Sequence, residues 1–132
     1  MSRRYAFSPT LLPVLLAGCV LGEAGAQGPD DSLSATPQDR ITIERGRALV
    51  GQYQCGSCHA IPEVPAARGQ VSQPLDGWSQ RSYIAGRLPN RPDTLARWIV
   101  APQSLVPGTA MPSMGVSPAD ARAMAAFLFS LE

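Results

Sequence analysis

The 132-residue sequence contains no lysine, one histidine and three cysteines. All 11 basic residues are arginines, set against 10 acidic residues, so the charges nearly balance. This balance excludes the strongly basic surface that nucleic-acid binding requires. Aromatic residues make up only 6% of the chain, and the polypeptide therefore supplies few large side chains for a core. The length suits one domain.

The one histidine ends the sequence Cys55-Gly56-Ser57-Cys58-His59. This C-x-x-C-H pattern is the attachment sequence of a c-type haem. One helical turn places Cys55 and Cys58 on the same side, where both thiols can bind the haem vinyl groups while His59 becomes an axial ligand of the iron. A redox disulfide would need a thioredoxin-like βαβ context, and a structural zinc site would need four ligands. We therefore predict one haem c, attached covalently through Cys55 and Cys58.

The N-terminal region has the pattern of an export signal. A pair of arginines precedes an apolar run from Leu11 to Leu21, which is too short for an ordinary transmembrane helix. Leu16-Ala17-Gly18-Cys19 resembles a bacterial lipobox and predicts a signal peptide over residues 1–18 with lipidation of Cys19. Ala24-Gly25-Ala26 offers an alternative cleavage after residue 26 that would release a soluble periplasmic protein. The lipobox accounts for the third cysteine and predicts a lipid-anchored protein on the periplasmic side of a bacterial membrane.

The remaining chain divides into a tether and a folded domain. Residues 19–38 are polar, rich in glycine, proline and serine, and typical of a flexible tether. Within the domain, residues 39–132, apolar periodicity predicts helices over 39–53, over 92–100 and after Ser117. Ser117 has the character of an N-cap, followed by proline at the first helical position and by Asp120 as a capping-box carboxylate. Gly46 in mid-helix predicts the close approach of another helix, because glycine there costs about 1 kcal/mol.

From Gly46 to the C-terminus the chain resembles the monohaem, class I-like cytochrome c family. Leu88–Ile99, Pro102-Gln103 and Pro107–Pro112 are similar to the cytochrome c domain of haem-copper oxidase subunit II and to small lipoprotein cytochromes. The resemblance implies an all-α cytochrome c fold, with three to five short helices wrapped around a covalent haem. It also implies that the N- and C-terminal helices cross, with Gly46 against Phe127.

The resemblance implies further contacts with the haem. Gln73-Pro74-Leu75 resembles a Gly-Pro-x-Leu segment whose proline carbonyl accepts the histidine Nδ1–H, so Pro74 is predicted to orient His59, with Gln73 in place of the usual glycine. The haem propionates need hydrogen-bond donors, and Arg81 and Trp98 are the predicted candidates.

The second axial ligand is predicted to be Met111. A second histidine is not available, Met1 is removed with the signal, and Met124 lies inside a predicted helix. Met111 and Met114 remain, and Met111 followed by proline matches the ligand position of the family. Thioether ligation opposite histidine raises the reduction potential.

These features predict an electron carrier, not an enzyme. We expect redox protein partners in a bacterial respiratory chain, with electrons delivered toward a terminal oxidase, and either a monomer or a subunit of a respiratory complex. Two alternatives stay open at this level. One is a haem subunit of a periplasmic dehydrogenase complex, and the other is a gas sensor or enzyme with an open iron position.

Overall fold

The computed structural model describes residues 35–132. The predicted signal peptide, the lipidation site Cys19, the alternative cleavage site and most of the tether lie outside the described residues. The described elements are four α-helices, α1 (Pro37–Gln52), α2 (Pro92–Val100), α3 (Pro102–Leu105) and α4 (Pro118–Phe129), a hairpin of β1 (Tyr83–Ile84) and β2 (Leu88–Pro89), and two 3₁₀ turns, Cys55–Ser57 and Trp78–Gln80.

Helix α1 begins at Pro37, two residues before its predicted start at 39. Thr36 caps it: its hydroxyl oxygen accepts from the Asp39 backbone N–H at 3.2 Å, while the Thr36 backbone N–H donates to the Asp39 carboxylate at 3.0 Å. Pro37 occupies the first helical turn, where a missing N–H costs nothing. Pro37 and Gln38, which were predicted to lie at the end of the tether, lie in the first turn of α1.

Helices α1 and α4 cross at Gly46. A Cβ atom added there would lie 2.0 Å from the Ala123 carbonyl oxygen and 2.8 Å from the Phe127 Cβ. Phe127 is completely buried at this contact. The crossing therefore requires glycine at position 46, as the mid-helix position of that residue predicts.

Polar contacts join the same two helices beside the apolar contact. Ser117 caps α4 as predicted, since its hydroxyl accepts from the Asp120 N–H at 3.1 Å. The Asp120 carboxylate, however, turns to α1, where it accepts from Arg45 at 2.6 Å and from the Tyr53 hydroxyl at 3.1 Å. A residue expected to close a capping box thus links the first helix to the last.

Helix α2 has its predicted bounds and packs against α4 with Leu95, Trp98 and Ile99 buried.

The β-hairpin was not predicted from the sequence. Its two strands are antiparallel, with Tyr83 paired to Pro89 and Ile84 paired to Leu88. Ala85, in the turn between them, adopts a left-handed conformation (φ 49°). Besides this hairpin and an isolated bridge between Ala60 and Arg68, the regular elements of residues 35–132 are helices and 3₁₀ turns joined by loops, and the all-α prediction is confirmed. No helix within residues 35–132 combines the length and apolar character needed to cross a membrane.

Candidate haem site

The cysteine motif lies in a tight turn directly after α1. Gln54 adopts a left-handed conformation (φ 55°), which ends the helix and redirects the chain. A non-glycine residue adopts this conformation at a cost, and such residues cluster at functional sites. Within the turn, the N–H groups of Cys58 and His59 donate to the Cys55 carbonyl at 3.2 and 3.1 Å. The motif forms a 3₁₀ turn, so Cys55, Cys58 and His59 all belong to one short hydrogen-bonded segment.

The motif turn is held from outside by the backbone of residues 69–72. The Gly69 N–H donates to the Gly56 carbonyl at 2.9 Å, and the Ser72 N–H donates to the Cys58 carbonyl at 3.0 Å. A Cβ atom on Gly69 would lie 2.4 Å from the Cys58 carbonyl carbon and 2.7 Å from the His59 nitrogen. The two backbones are thus in direct contact, and neither can move without the other.

The Gln73 carbonyl orients His59. Its oxygen lies 2.7 Å from the His59 Nδ1. A carbonyl oxygen can only accept, so Nδ1 carries the proton and the lone pair is on Nε2, the nitrogen then available to a metal. Such a hydrogen bond fixes the ring orientation and makes the imidazole a stronger donor.

This contact corrects the prediction for Pro74. The Pro74 carbonyl was expected to accept from His59, but the structure gives that place to its neighbour Gln73. The Pro74 carbonyl is engaged elsewhere, because the Arg81 guanidinium donates to it at 2.6 Å and to the Asp76 carbonyl at 2.9 Å. Pro74 also does not line the cavity described next, but a groove on another side of the loop.

One cavity brings together most of the predicted site residues. Cys55, His59, Met111, Arg81 and Trp98 all line it. Its other walls are mainly apolar and come from α1, the hairpin, α2 and α4; they include Val50, Leu75, Ile84, Leu95, Ile99, Val116 and Leu128. Cys58 does not line the cavity, although it closes the same 3₁₀ turn as Cys55. An apolar cavity with a thiol, an imidazole and a thioether in its wall matches the donor set of a c-type haem.

All three methionines of the described residues line this cavity. Met124 is almost fully buried in α4, in keeping with its predicted core position, and Met114 is 44% exposed. Met111 is half-buried and packs against the core. The assignment of Met111 over Met114 as ligand stays a prediction.

Trp78 is the residue that the sequence reasoning missed. Its indole nitrogen Nε1 is buried and makes no hydrogen bond to any described residue, although its ring lines the cavity. A buried donor without an acceptor is costly, and most are paired in native proteins. Arg81 lies over the same ring, with its guanidinium carbon 5.1 Å from the ring centroid. A donor and a cation at one wall of the cavity suit the carboxylates of a haem.

In the described region the two cysteines are not paired with each other and are not part of a larger cluster of metal-binding side chains. Cys55 and Cys58 are both free thiols and do not form a disulfide. No group of three or more histidine, cysteine, aspartate or glutamate side chains in residues 35–132 is arranged to hold a metal ion. Burial raises the pKa of the Cys55 thiol above its ordinary value of 9.0, which keeps the thiol protonated at neutral pH.

Comparison with known proteins decides the family. The sequence profile of the family described as cytochrome c matches residues 43–132, which is more than half of the chain. The chain belongs to the cytochrome c family. This family carries electrons and is not a family of enzymes, and it implies covalently bound haem c.

A curated relative extends the likeness. Over 89 residues the chain is 35% identical to a protein named cytochrome c oxidase subunit 2 from Alkalihalophilus pseudofirmus. The match includes 67% of this chain but only 25% of that subunit, so the chain spans about a quarter of its relative. No solved structure matches the chain at a significant level.

Proposed function

We propose that this cytochrome c carries single electrons on a haem whose iron would be held by His59 and Met111. One observation carries the proposal: the imidazole and the thioether lie in the wall of the same cavity, although they are 52 positions apart in the sequence. When bound, haem c supplies an iron that changes between the ferrous and ferric states. With both positions filled, a substrate has no place to bind at the metal.

The protein's own groups have separate tasks in this proposal. The Gln73 carbonyl holds the His59 ring with its proton on Nδ1, so that the Nε2 lone pair would be free to bind the iron. The Met111 thioether would be the second ligand and would favour the reduced state. The Trp78 N–H and the Arg81 cation bind haem carboxylates, and the apolar walls exclude water.

Electrons enter and leave through the mouth of the cavity. Exposed residues line it, among them Ser72, Tyr83, Gly86 and Met114. Tyr83 is 60% exposed, a large value for an aromatic side chain, and an exposed aromatic suits a contact surface. Small, weak interfaces are typical of electron-transfer partners, and a mouth of this kind fits a brief encounter.

The partner that we propose is a terminal oxidase of a bacterial respiratory chain, because the matched relative is named as an oxidase subunit. In that relative the matched region is part of a longer subunit, whereas here it follows Leu16-Ala17-Gly18-Cys19, which resembles a lipobox. A diacylated Cys19 and the residues up to Ala35 would anchor the domain to the periplasmic side of the membrane and let it reach an oxidase.

The experiment compares the wild-type protein with Met111→Ala and Met114→Ala. The oxidised wild type is expected to show the weak near-infrared band of an iron–thioether bond, and its reduced form to bind carbon monoxide slowly. Met111→Ala should abolish the band, lower the reduction potential and open the iron to carbon monoxide, while Met114→Ala should change little. Reduced wild type should also be oxidised by oxidase-containing membranes in a cyanide-sensitive reaction.

Other outcomes separate the alternatives. Rapid carbon monoxide binding by the wild type would mean an open iron position and would favour a sensor or enzyme. A band that survives Met111→Ala and disappears in Met114→Ala would move the ligand to Met114. An intact band without oxidation by the oxidase would keep the carrier and reject this partner, which would favour a subunit of a dehydrogenase complex.

A further inference from the structure

The loop that contains Met111 has little backbone support. Thr109 donates its N–H to the Val106 carbonyl at 3.1 Å, and after it no residue from 110 to 116 makes a backbone–backbone hydrogen bond within the described chain. The Met111 N–H has only a long contact, 3.4 Å, to the Thr109 hydroxyl. Side chains must therefore determine where this loop lies.

The Gln103 side chain makes three contacts to the loop from α3. Its Oε1 accepts from the Gly108 N–H at 3.2 Å. Its Nε2 donates to the Thr109 carbonyl and, at 3.5 Å, to the Met111 carbonyl. The oxygen faces a donor and the nitrogen faces two acceptors, so both ends of the amide match the loop. A second tether follows Met111, where the Ser113 hydroxyl donates to the Val100 carbonyl at 3.0 Å.

The amide holds the loop before Met111 and at the backbone of Met111 itself. Gly108 and Thr109 lie before Met111, and the third contact reaches Met111 itself. Gln103 is exposed, as is Ser113, and neither belongs to the apolar core. Removing either side chain therefore leaves the core intact while releasing the loop. If the loop is released, binding of the thioether to iron must also restrict the loop, which costs conformational entropy. In the tethered protein the loop is already restricted before ligation, so this cost is smaller.

We propose that Gln103 is a positioning residue for the axial thioether: its amide holds the loop closed and sets how readily Met111 leaves the iron. This inference rests on the proposed function, because it takes Met111 as the ligand. It adds that the closed loop depends on one exposed side chain, with Ser113 as a secondary tether.

The test uses the full haem-loaded protein and three single variants. In Gln103→Ala the amide is absent. In Gln103→Glu the side chain keeps its size, and one carboxylate oxygen can still accept from the Gly108 N–H. The other oxygen replaces the donating Nε2 and is repelled by the Thr109 carbonyl, because both groups can only accept. Gln38→Glu on α1 is the charge-matched control, because Gln38 is exposed and does not line the cavity. The measurements are the iron–thioether band and the rate of carbon monoxide binding to the reduced protein.

Losing two or three hydrogen bonds of modest net strength is expected to raise the carbon monoxide binding rate about tenfold in Gln103→Ala. Gln103→Glu should have at least as large an effect, with a weakened band in both variants and wild-type behaviour in Gln38→Glu. Gln103→Ala combined with Ser113→Ala should bind faster than either single variant. A merely structural role would lower the thermal midpoint and leave the band and the rate unchanged well below that midpoint.

Two failures can be told apart. If wild type has no iron–thioether band and Met111→Ala changes nothing, the proposed function fails and the role of Gln103 fails with it. If Met111→Ala removes the band but both Gln103 variants keep the wild-type band and rate, the ligand assignment stands and the positioning role is rejected. Haem staining of the denatured variants shows that each one carries the group.

Discussion

The two sides of the cavity are held in different ways. On the histidine side, the support comes from backbone groups: the Gly69 and Ser72 N–H groups donate to carbonyls of the cysteine turn, and the Gln73 carbonyl accepts from the His59 ring. On the methionine side, the support comes from the side chains of Gln103 and Ser113 at exposed positions. Backbone contacts are independent of the side chains at those positions, whereas side-chain contacts can be lost in one substitution.

The difference suggests separate roles for the two proposed ligands, His59 and Met111. The histidine side combines hydrogen bonds with a backbone contact so close that a single methyl group is excluded at Gly69. It provides a rigid base for the haem. The methionine side can be loosened without disturbing the core, and we expect ligation strength, and with it the reduction potential, to be adjusted there.

Gly69→Ala should have the largest effect, because it adds a methyl group against the backbone of Cys58 and His59. These are backbone atoms, which cannot rotate aside as a side chain can, so the overpacking should lower the unfolding free energy by about 3 kcal/mol or more. Gly51→Ala is the matched control, since its Cβ would lie 3.9 Å from a Val64 methyl and alanine favours a helix. Urea unfolding of both variants measures the difference. Equal stabilities would show that the histidine side is not rigid.

Trp78→Phe should have the next largest effect, and its size is informative. If the indole N–H binds a haem carboxylate, the haem-loaded protein should lose about 1.5–3 kcal/mol of unfolding free energy. If the N–H has no partner, the gain from removing a buried unpaired donor should offset much of the cost of the smaller ring, and the loss should be clearly smaller. Trp98→Phe is the parallel variant, because Trp98 was the indole chosen from the sequence. A loss in Trp98→Phe alone would restore the original assignment.

The smallest effect is expected at the helix crossing, which supports both sides of the cavity. Hydrogen bonding by Ser117, assisted by Tyr53 and Arg45, lowers the pKa of Asp120 below its ordinary 3.8. Because the folded pKa is the lower one, this stabilisation is present above about pH 3.8 and is lost as the pH falls through the folded value.

Asp120→Asn should therefore destabilise the protein at neutral pH and flatten the fall of the unfolding midpoint as the pH drops below about 3.8. Asp93→Asn removes an exposed carboxylate from α2 and serves as control. An unchanged acid profile in Asp120→Asn would show that the carboxylate contributes nothing to the crossing. Neither variant should change the iron–thioether band, because Asp120 and Asp93 do not line the cavity.

The parts of the fold that the sequence predicted are those set by local chemistry. Proline at 92 and the Ala101-Pro102 pair define the ends of α2, and Ser117 with Pro118 defines the start of α4. The cap at Thr36 was missed although Thr36, Pro37 and Asp39 carry the same signals, because the preceding polar stretch obscured it.

The parts that the sequence did not predict depend on distant contacts. The histidine acceptor differs by one residue from the prediction because Arg81, seven positions beyond Pro74, takes the Pro74 carbonyl. The hairpin was missed because Ala85 has no conformational preference for a left-handed turn. The unpaired nitrogen of Trp78 is a property of its surroundings, and no local pattern distinguishes it from Trp98.

The crossing of α1 and α4 also dictates the order in which the chain gains structure. Arg45 and Asp120 are 75 residues apart, so this contact closes a long loop, and contacts of that span form slowly. The turn from Cys55 to His59, by contrast, closes within a few residues. During synthesis from the N-terminus, the cysteines emerge long before the helix that completes the fold. We therefore expect the thiols of Cys55 and Cys58 to be accessible for haem attachment before α4 packs against α1 and closes the cavity.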